Sequence, residues 1–289
     1  MRVSNTISLV RPHQYVKNLF IFLPLFFAVR ITDATLFLNA AVAFLAFSFT
    51  ASAIYILNDY LDIEDDKLHP KKKTRPLAAG VITFPQAFMT MTVLFGAGIT
   101  LMASVSFTAM NILLVYLALN IAYSFYLKHV AILDVIIIAV GFVLRIFVGS
   151  AVTAIPLSMW IVIMTFLLAL FMALAKRRDD VLIYLETGEK MRKVVDGYNL
   201  QFLDAAMVIM ASVVIVAYTI YTTSTEVITR VQSEYLYLTA FFVIAGVMRY
   251  LQIVFVEKDS GSPTRIVLKD PFMQITLIGW IATFAWVLY

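Results

Sequence analysis

The run Asn58-Asp59-Tyr60-Leu61-Asp62-Ile63-Glu64-Asp65-Asp66 closes a long apolar stretch, and His69-Pro70-Lys71-Lys72-Lys73-Thr74-Arg75-Pro76 follows almost at once. On a helix, Asp59, Asp62 and Asp66 stand at i, i+3 and i+7, so their carboxylates project within one narrow stripe, with Asn58 one turn before Asp62. Carboxylates gathered this way repel one another unless a cation joins them. Mg2+ suits the place, because it takes hard oxygen ligands and is commonly held by one or two carboxylates together with substrate phosphates. The Lys/Arg block downstream suits phosphate oxygens. The pattern therefore reads as a magnesium and diphosphate site at a membrane surface. The plainer alternative is a solvated loop beside a membrane helix, and the helical phasing of the acids beside the basic block argues against it.

Two further segments mix charges in the same way. Tyr123-Ser124-Phe125-Tyr126-Leu127-Lys128-His129 is followed by Asp134, and Ala175-Lys176-Arg177-Arg178-Asp179-Asp180 ends another apolar run. Lys128, or the cluster from Lys176 to Arg178, could each be a cation snorkelling to the interface. The acids beside them favour a site that needs carboxylates for a metal and cations for phosphates. Arg145 and Arg249 lie deeper, inside apolar stretches, where an arginine costs at least about 2.5 kcal/mol on insertion scales and normally faces the bundle interior. Arg145 is expected as a structural ion-pair partner and Arg249 in a phosphate or cavity role. Arg11-Pro12-His13-Gln14-Tyr15-Val16-Lys17-Asn18 reads as an interfacial helix entering the bilayer, with simple anchoring as its alternative.

The elements that must position these groups are membrane helices. Hydrophobic residues are 62% of the chain, 14% are charged, and the mean hydropathy is +0.91, which marks a polytopic membrane protein. Cysteine is absent, which excludes disulfides, thiolate catalysis and Cys-ligated metals, and the three histidines His13, His69 and His129 lie on separate segments, against a zinc site. No removable signal peptide is expected. With about 20 apolar residues per span, nine spans are expected, near 17–30, 36–57, 84–103, 108–127, 132–152, 157–175, 204–224, 235–256 and 270–289, in one membrane domain covering 1–289. The first is short and carries Pro24.

The Lys/Arg distribution orients the chain. With the N-terminus in the cytoplasm, the inner segments carry Arg2, Arg11 and Lys17; Lys67, Lys71, Lys72, Lys73 and Arg75; Lys128; Lys176, Arg177, Arg178, Lys190, Arg192 and Lys193; and Lys258, Arg265 and Lys269. Only Arg30 and Arg230 fall outside. The expectation is a multi-pass protein of the inner or plasma membrane with its active site on the cytoplasmic face.

Asn58-Asp59-x-x-Asp62-x-x-x-Asp66 at the cytoplasmic end of the second span resembles the UbiA superfamily of intramembrane prenyltransferases, and the resemblance covers nearly the whole chain. Within it the likeness is to the decaprenyl-phosphate phosphoribosyltransferase branch. It is carried by Arg11-Pro12-x-Gln14-x-x-Lys17-Asn18, His69-Pro70-x-Lys72-Lys73-x-Arg75-Pro76 with Ala79-Gly80, Leu127-Lys128-His129-Val130 with Leu133-Asp134-Val135, Gly141-Phe142-Val143-Leu144-Arg145, Lys176-Arg177, and Arg249-Tyr250 before Gly261-x-Pro263 and Asp270. One departure stands out: the aromatic prenyltransferases carry a second DxxxD motif where this chain has Lys176-Arg177-Arg178-Asp179-Asp180; Asp180 matches the branch's single acid and Asp179 is extra.

The resemblance implies an all-α, nine-helix UbiA-type bundle with a polar cavity and a lateral opening for a polyprenyl chain. It implies transfer of the phosphoribosyl group of 5-phosphoribosyl 1-diphosphate to a polyprenyl phosphate, with release of pyrophosphate. Asp59, Asp62 and Asp66 would be catalytic and hold Mg2+; Lys72, Lys73, Arg75 and Lys128 would take the donor phosphates. Lys17, Lys176, Arg177 and Arg249 would take the 5-phosphate or the lipid phosphate, and Asn18, Asn58, Tyr123, Asp134 and Asp180 complete the substrate-binding set. Membrane lipids are partners, a homo-oligomer is left open, and no nucleic acid is expected. In the same fold, the alternative is prenyl transfer from a prenyl diphosphate to an aromatic or other small acceptor. A transporter is the alternative of another class; its site would sit near the bilayer midplane on broken helices, whereas here the polar groups gather at one face.

Overall fold

The computed structural model describes residues 3–68, 72–188, 193–258 and 263–288, and all regular structure among them is helical. Arg2, His69, Pro70, Lys71, Lys190, Arg192 and Gly261, used in the sequence reading, lie outside the described residues. The chain divides into two compact units, residues 1–158 and 159–289.

The first unit runs α1 (Val3–Val10), a 3₁₀ helix (Pro12–Phe22), α2 (Leu23–Phe27), α3 (Ala34–Leu61), α4 (Ile63–Leu68), a 3₁₀ turn (Lys72–Thr74), α5 (Phe84–Val105), α6 (Phe107–Phe125), a 3₁₀ turn (Leu127–His129) and α7 (Leu133–Thr153). The second runs α8 (Met159–Thr187), a 3₁₀ helix (Lys193–Gly197), α9 (Leu200–Thr223), α10 (Thr225–Val231), a 3₁₀ turn (Tyr235–Leu238), α11 (Thr239–Phe255), α12 (Pro263–Lys269) and α13 (Pro271–Leu288).

Among the described residues eight helices are long and apolar enough to cross a membrane, and they match the second to ninth expected spans. The first expected span is not among them. Its residues form the 3₁₀ helix of 11 residues and the five-residue α2, with Pro24 in the first turn of α2. A 3₁₀ helix rises about 2.0 Å per residue, so those two pieces laid end to end reach roughly 30 Å, the hydrocarbon thickness, with fewer residues than an α-helix needs.

Side chains of the preferred capping types start four of the spans. Asp33 accepts from the Leu36 amide (3.1 Å), Ser106 from Ala109 (3.2 Å), Asn199 from Phe202 (2.7 Å) and Asp270 from Met273 (2.9 Å). Ser106 is also the C-cap of α5, so α5 and α6 are joined by a single residue.

Helix α3 is the axis of the first unit, packing on α5, α6, α7 and the first 3₁₀ helix. Small residues let the backbones close in: Ala40, Ala43 and Ala46 are fully buried, and a Cβ at Gly98 of α5 would lie 2.8 Å from the Ala46 carbonyl. A Cβ at Gly149 of α7 would meet the Ile21 carbonyl oxygen at 2.1 Å, so only glycine admits the 3₁₀ helix against α7 there. Phe47, Met102, Leu113 and Val148 fill the core between them. With 28 residues, α3 is about 42 Å long, more than the hydrocarbon thickness of about 30 Å.

In the second unit α8 packs on α9, and α11 on α13 and α9. A buried polar chain ties its core: Trp280 Nε1 donates to the Tyr218 hydroxyl (2.7 Å), which pairs with Thr239 Oγ1 (2.8 Å).

Candidate active site

The acidic run does not form one uninterrupted helix. α3 ends at Leu61, Asp62 is its C-cap (φ −99°, ψ 10°), and α4 begins at Ile63, although the Asp66 amide still donates to the Asp62 carbonyl (2.8 Å). The three stripe carboxylates separate into two groups. Asp59 and Asp66 come together, buried at 2% and 1% exposure, and Asp62 stands apart. The break at Asp62 and the partners on either side of it make the partition: Arg75 draws Asp59 and Asp66 together, while Lys128 and Asn58 hold Asp62.

The paired acids are bridged by a cation of the chain itself. Arg75 Nη1 lies 3.0 Å from Asp59 Oδ1 and 2.5 Å from Asp66 Oδ2. Arg11 Nη2 reaches both oxygens of Asp59 at 2.5 Å, and Lys72 Nζ stands 3.9 Å from Asp66 Oδ1. Asp62 has a different partner set: Lys128 Nζ donates to its Oδ1 at 2.6 Å and Asn58 Nδ2 to its Oδ2 at 2.9 Å. Among the described residues no three acids or histidines converge as a ready metal site. The Asp59 and Asp66 pair nevertheless fits a divalent ion. Two carboxylates already share one positive nitrogen, and Mg2+ is commonly bound by one or two carboxylates with phosphates completing its shell.

Arg11 was missed by the sequence reading as a site residue. It lies 48 positions from Asp59, and the signal that could have found it is its place in the stretch Arg11-Pro12-x-Gln14-x-x-Lys17-Asn18 that carries the family likeness. Its backbone is left-handed (φ 55°, ψ 57°), and its guanidinium sits 5.6 Å from the Tyr55 ring, one turn before Asp59.

A third group lies in the core of the same unit. Asn18 donates to Ser48 Oγ (2.8 Å) and accepts from Arg145 Nε (2.8 Å). Arg145 also donates to the Gly141 carbonyl (2.6 Å) and the Tyr116 hydroxyl (3.3 Å), and lies over the Phe47, Tyr116 and Phe142 rings at 4.8, 5.1 and 5.2 Å. The expectation of an ion pair at Arg145 is thus corrected: among the described residues it is held by the neutral acceptors Asn18, Gly141 and Tyr116 and by ring faces from α3, α6 and α7, which stabilise a cation without a carboxylate. Lys17, beside Asn18, and Tyr123 on α6 are half-buried, Asp134 is buried in the first turn of α7, and Lys73 is exposed.

The remaining expected residues belong to the second unit. Arg177, 1% exposed, pairs with Asp180 (2.6 Å); Lys176 is exposed. Arg178 binds Asp204 (2.6 Å) and the Val254 carbonyl (2.9 Å). Arg249 pairs with Asp270 (2.7 Å) and Glu257 (2.8 Å), and its hydrogen bonds hold the Asp270 carboxyl below the usual carboxylate range. Arg249 therefore ties the end of α11 to the start of α13.

The sequence profile of the UbiA prenyltransferase family matches residues 19–287. The chain belongs to this family. It is 31% identical to the decaprenyl-phosphate phosphoribosyltransferase of Mycolicibacterium smegmatis over 99% of this chain and 93% of that one. Against the enzyme of the same name from Corynebacterium glutamicum it is 30% identical, over 95% and 84% of the two chains. A UbiA homolog from Archaeoglobus fulgidus bound to GPP and Mg2+ superimposes with a TM-score of 0.75 at 19% identity, over 98% of this chain and 99% of that one, which establishes the UbiA fold. The protein is a multi-pass membrane transferase of UbiA type.

Proposed function

We propose that the chain transfers the 5-phosphoribosyl group of 5-phosphoribosyl 1-diphosphate to a polyprenyl phosphate of the decaprenyl type, at the cytoplasmic face of the membrane, and that residues 1–289 work as one catalytic domain. The observation that carries the reading is the full-length likeness to decaprenyl-phosphate phosphoribosyltransferases. The cation-rich site supports it. Three stripe carboxylates stand among Arg11, Lys72, Arg75 and Lys128, a surplus suited to a reaction that handles a diphosphate, a 5-phosphate and a lipid phosphate.

In the reaction proposed, an oxygen of the lipid phosphate bonds to C1 of the ribose as the bond from C1 to the diphosphate oxygen breaks, and pyrophosphate leaves with the electron pair. Positive charge develops on C1 and the ring oxygen, as in glycosyl transfer. A divalent cation, Mg2+, held by Asp59 and Asp66 would neutralise charge on the leaving diphosphate. Lys128, steadied by Asp62, and Lys72, Lys73 and Arg75 bind the donor phosphates and fix C1 in line with its attacker. Asn58 orients Asp62. The attacking phosphate is already anionic, so the residues need not supply a strong general base. Lys17, Asn18, Tyr123 and Asp134 of the first unit are proposed to bind substrate beside these groups; for Lys176, Arg177, Asp180 and Arg249 of the second unit a substrate-binding role is proposed separately.

The test is purified protein in nanodiscs with 5-phosphoribosyl 1-diphosphate, polyprenyl phosphate and Mg2+. Formation of phosphoribosylated lipid and equimolar pyrophosphate, lost in chelator, is expected. A folded protein that makes none, yet consumes a prenyl diphosphate with an aromatic acceptor, would move the assignment to the prenyl-transfer alternative.

A further inference from the structure

The carboxylates that fit a divalent ion are in the grip of arginines, and the burial of the partners is lopsided. The Asp59 and Asp66 side chains are 1% and 2% exposed, whereas Arg11, Arg75 and Lys72 are 18%, 24% and 25% exposed. The anions are fixed in the wall, and the cations reach them from the open side. A side chain lying toward solvent can swing away without breaking the fold; a buried carboxylate cannot follow it. Arg75 Nη1 occupies the point between Asp59 Oδ1 and Asp66 Oδ2 that an ion shared by those oxygens needs. Arg11 covers both oxygens of Asp59.

Charge balance sharpens the conflict. The stripe carboxylates Asp59, Asp62 and Asp66 are already outnumbered by Arg11, Lys72, Arg75 and Lys128. A divalent ion entering alone would raise an existing positive excess at a few ångströms' range, which is unfavourable. A diphosphate arriving with it cancels that excess and offers the displaced guanidiniums new, bidentate acceptors. The left-handed conformation of Arg11, just after α1, is one that glycine ordinarily fills, so the side chain can be removed there without straining the backbone.

We propose that Arg11, with Arg75, is a diphosphate-binding residue held in reserve. The two guanidiniums serve as counter-ions of Asp59 and Asp66. When metal and diphosphate enter together, the guanidiniums are released from the carboxylates onto the phosphate oxygens. The two ligands are thereby coupled, with the arginines as the exchangeable element. This rests on the metal-diphosphate part of the function proposed above and not on the identity of the acceptor.

The consequence runs against the usual effect of mutating a site residue: removing either arginine tightens binding of the metal alone. The test uses full-length protein in nanodiscs and Mn2+ as the spectroscopic probe, with free Mn2+ followed by electron paramagnetic resonance. Arg11→Gly suits the left-handed backbone, so it keeps the fold; Arg75→Gln and Arg75→Lys accompany it. Mn2+ alone is expected to bind Arg11→Gly and Arg75→Gln about tenfold more tightly than wild type, and Arg75→Lys less than threefold more tightly. Labelled inorganic pyrophosphate in saturating Mg2+ is expected to bind the two charge-removing variants about tenfold more weakly. Mn2+ affinity that is unchanged or weaker in both charge-removing variants overturns the proposal, because the arginines would then be positioning the carboxylates. Absence of Mn2+ binding in every chain overturns it as well. Wild-type phosphoribosyl transfer, measured separately, shows in either case whether the function reading survives.

Discussion

Asp62 differs from its neighbours in the stripe because it has a monovalent partner of its own. Its carboxylate is met by Lys128 at 2.6 Å, with 24% and 11% of the two side chains exposed, and is steadied by the Asn58 amide. An ion pair this accessible contributes about 1 kcal/mol or less to stability. In the function proposed, its weight lies in orienting a cation toward donor phosphates. Asp62→Asn is therefore expected to leave Tm within a few degrees of wild type while lowering kcat/KM for 5-phosphoribosyl 1-diphosphate at least about tenfold, or about 1.4 kcal/mol of transition-state binding. Donor titrations at several Mg2+ concentrations measure it, and unchanged kinetics would remove Asp62 from the site. The acid stripe was legible because helical periodicity is local. Its division into a shared pair and a separate ion pair was not, because Arg11 and Lys128 approach from 48 and 66 positions away. The same limit hid the setting of Arg145: a sequence displays the charge and not the three aromatic faces that enclose it.

Eight spans were readable from hydropathy because a run of about 20 apolar residues has few uses other than crossing a bilayer. The first segment was not, since its 3₁₀ pitch makes length a poor guide and its seat depends on a neighbour. That neighbour is Gly149, whose missing side chain admits the Ile21 carbonyl. Three residues before Ile21, Asn18 holds Arg145, so the packing of this segment and the polar array beneath it rise or fall together. Gly149→Ala would place a methyl 2.1 Å from a backbone oxygen and force the 3₁₀ helix outward. Overpacking of this kind costs typically about 1–3 kcal/mol. Gly96 of α5 provides the contrast: it is exposed, nothing lies within 4 Å of an added Cβ, and Gly96→Ala gains helix propensity of about 1 kcal/mol. Thermal unfolding in detergent should thus show opposite signs for the two changes. Gly149→Ala without loss of stability would mean that the 3₁₀ helix is not seated on α7 as described.

In the expected nine-span topology the cations are distributed by side rather than by unit. Lys and Arg crowd the segments between alternate spans, and Arg30 and Arg230 alone fall in the others, which is the asymmetry that orients membrane proteins. The orientation decides what the site can use, because sugar diphosphates are made in the cytoplasm and a site on the opposite face would have no access to them. The absence of cysteine makes this directly measurable, since any introduced thiol is the single label site. Thr187, exposed at the end of α8, belongs to an expected inner segment; Thr225, exposed at the start of α10, to an expected outer one. In intact cells a membrane-impermeant maleimide should label Thr225→Cys and leave Thr187→Cys unmodified until the membrane is opened. The reverse pattern would turn the acid stripe away from the cytoplasm. A donor that enters from the cytoplasm could then not reach Asp59 and Asp66, and the phosphoribosyl-transfer assignment would fall with the orientation even if both thiol variants folded normally.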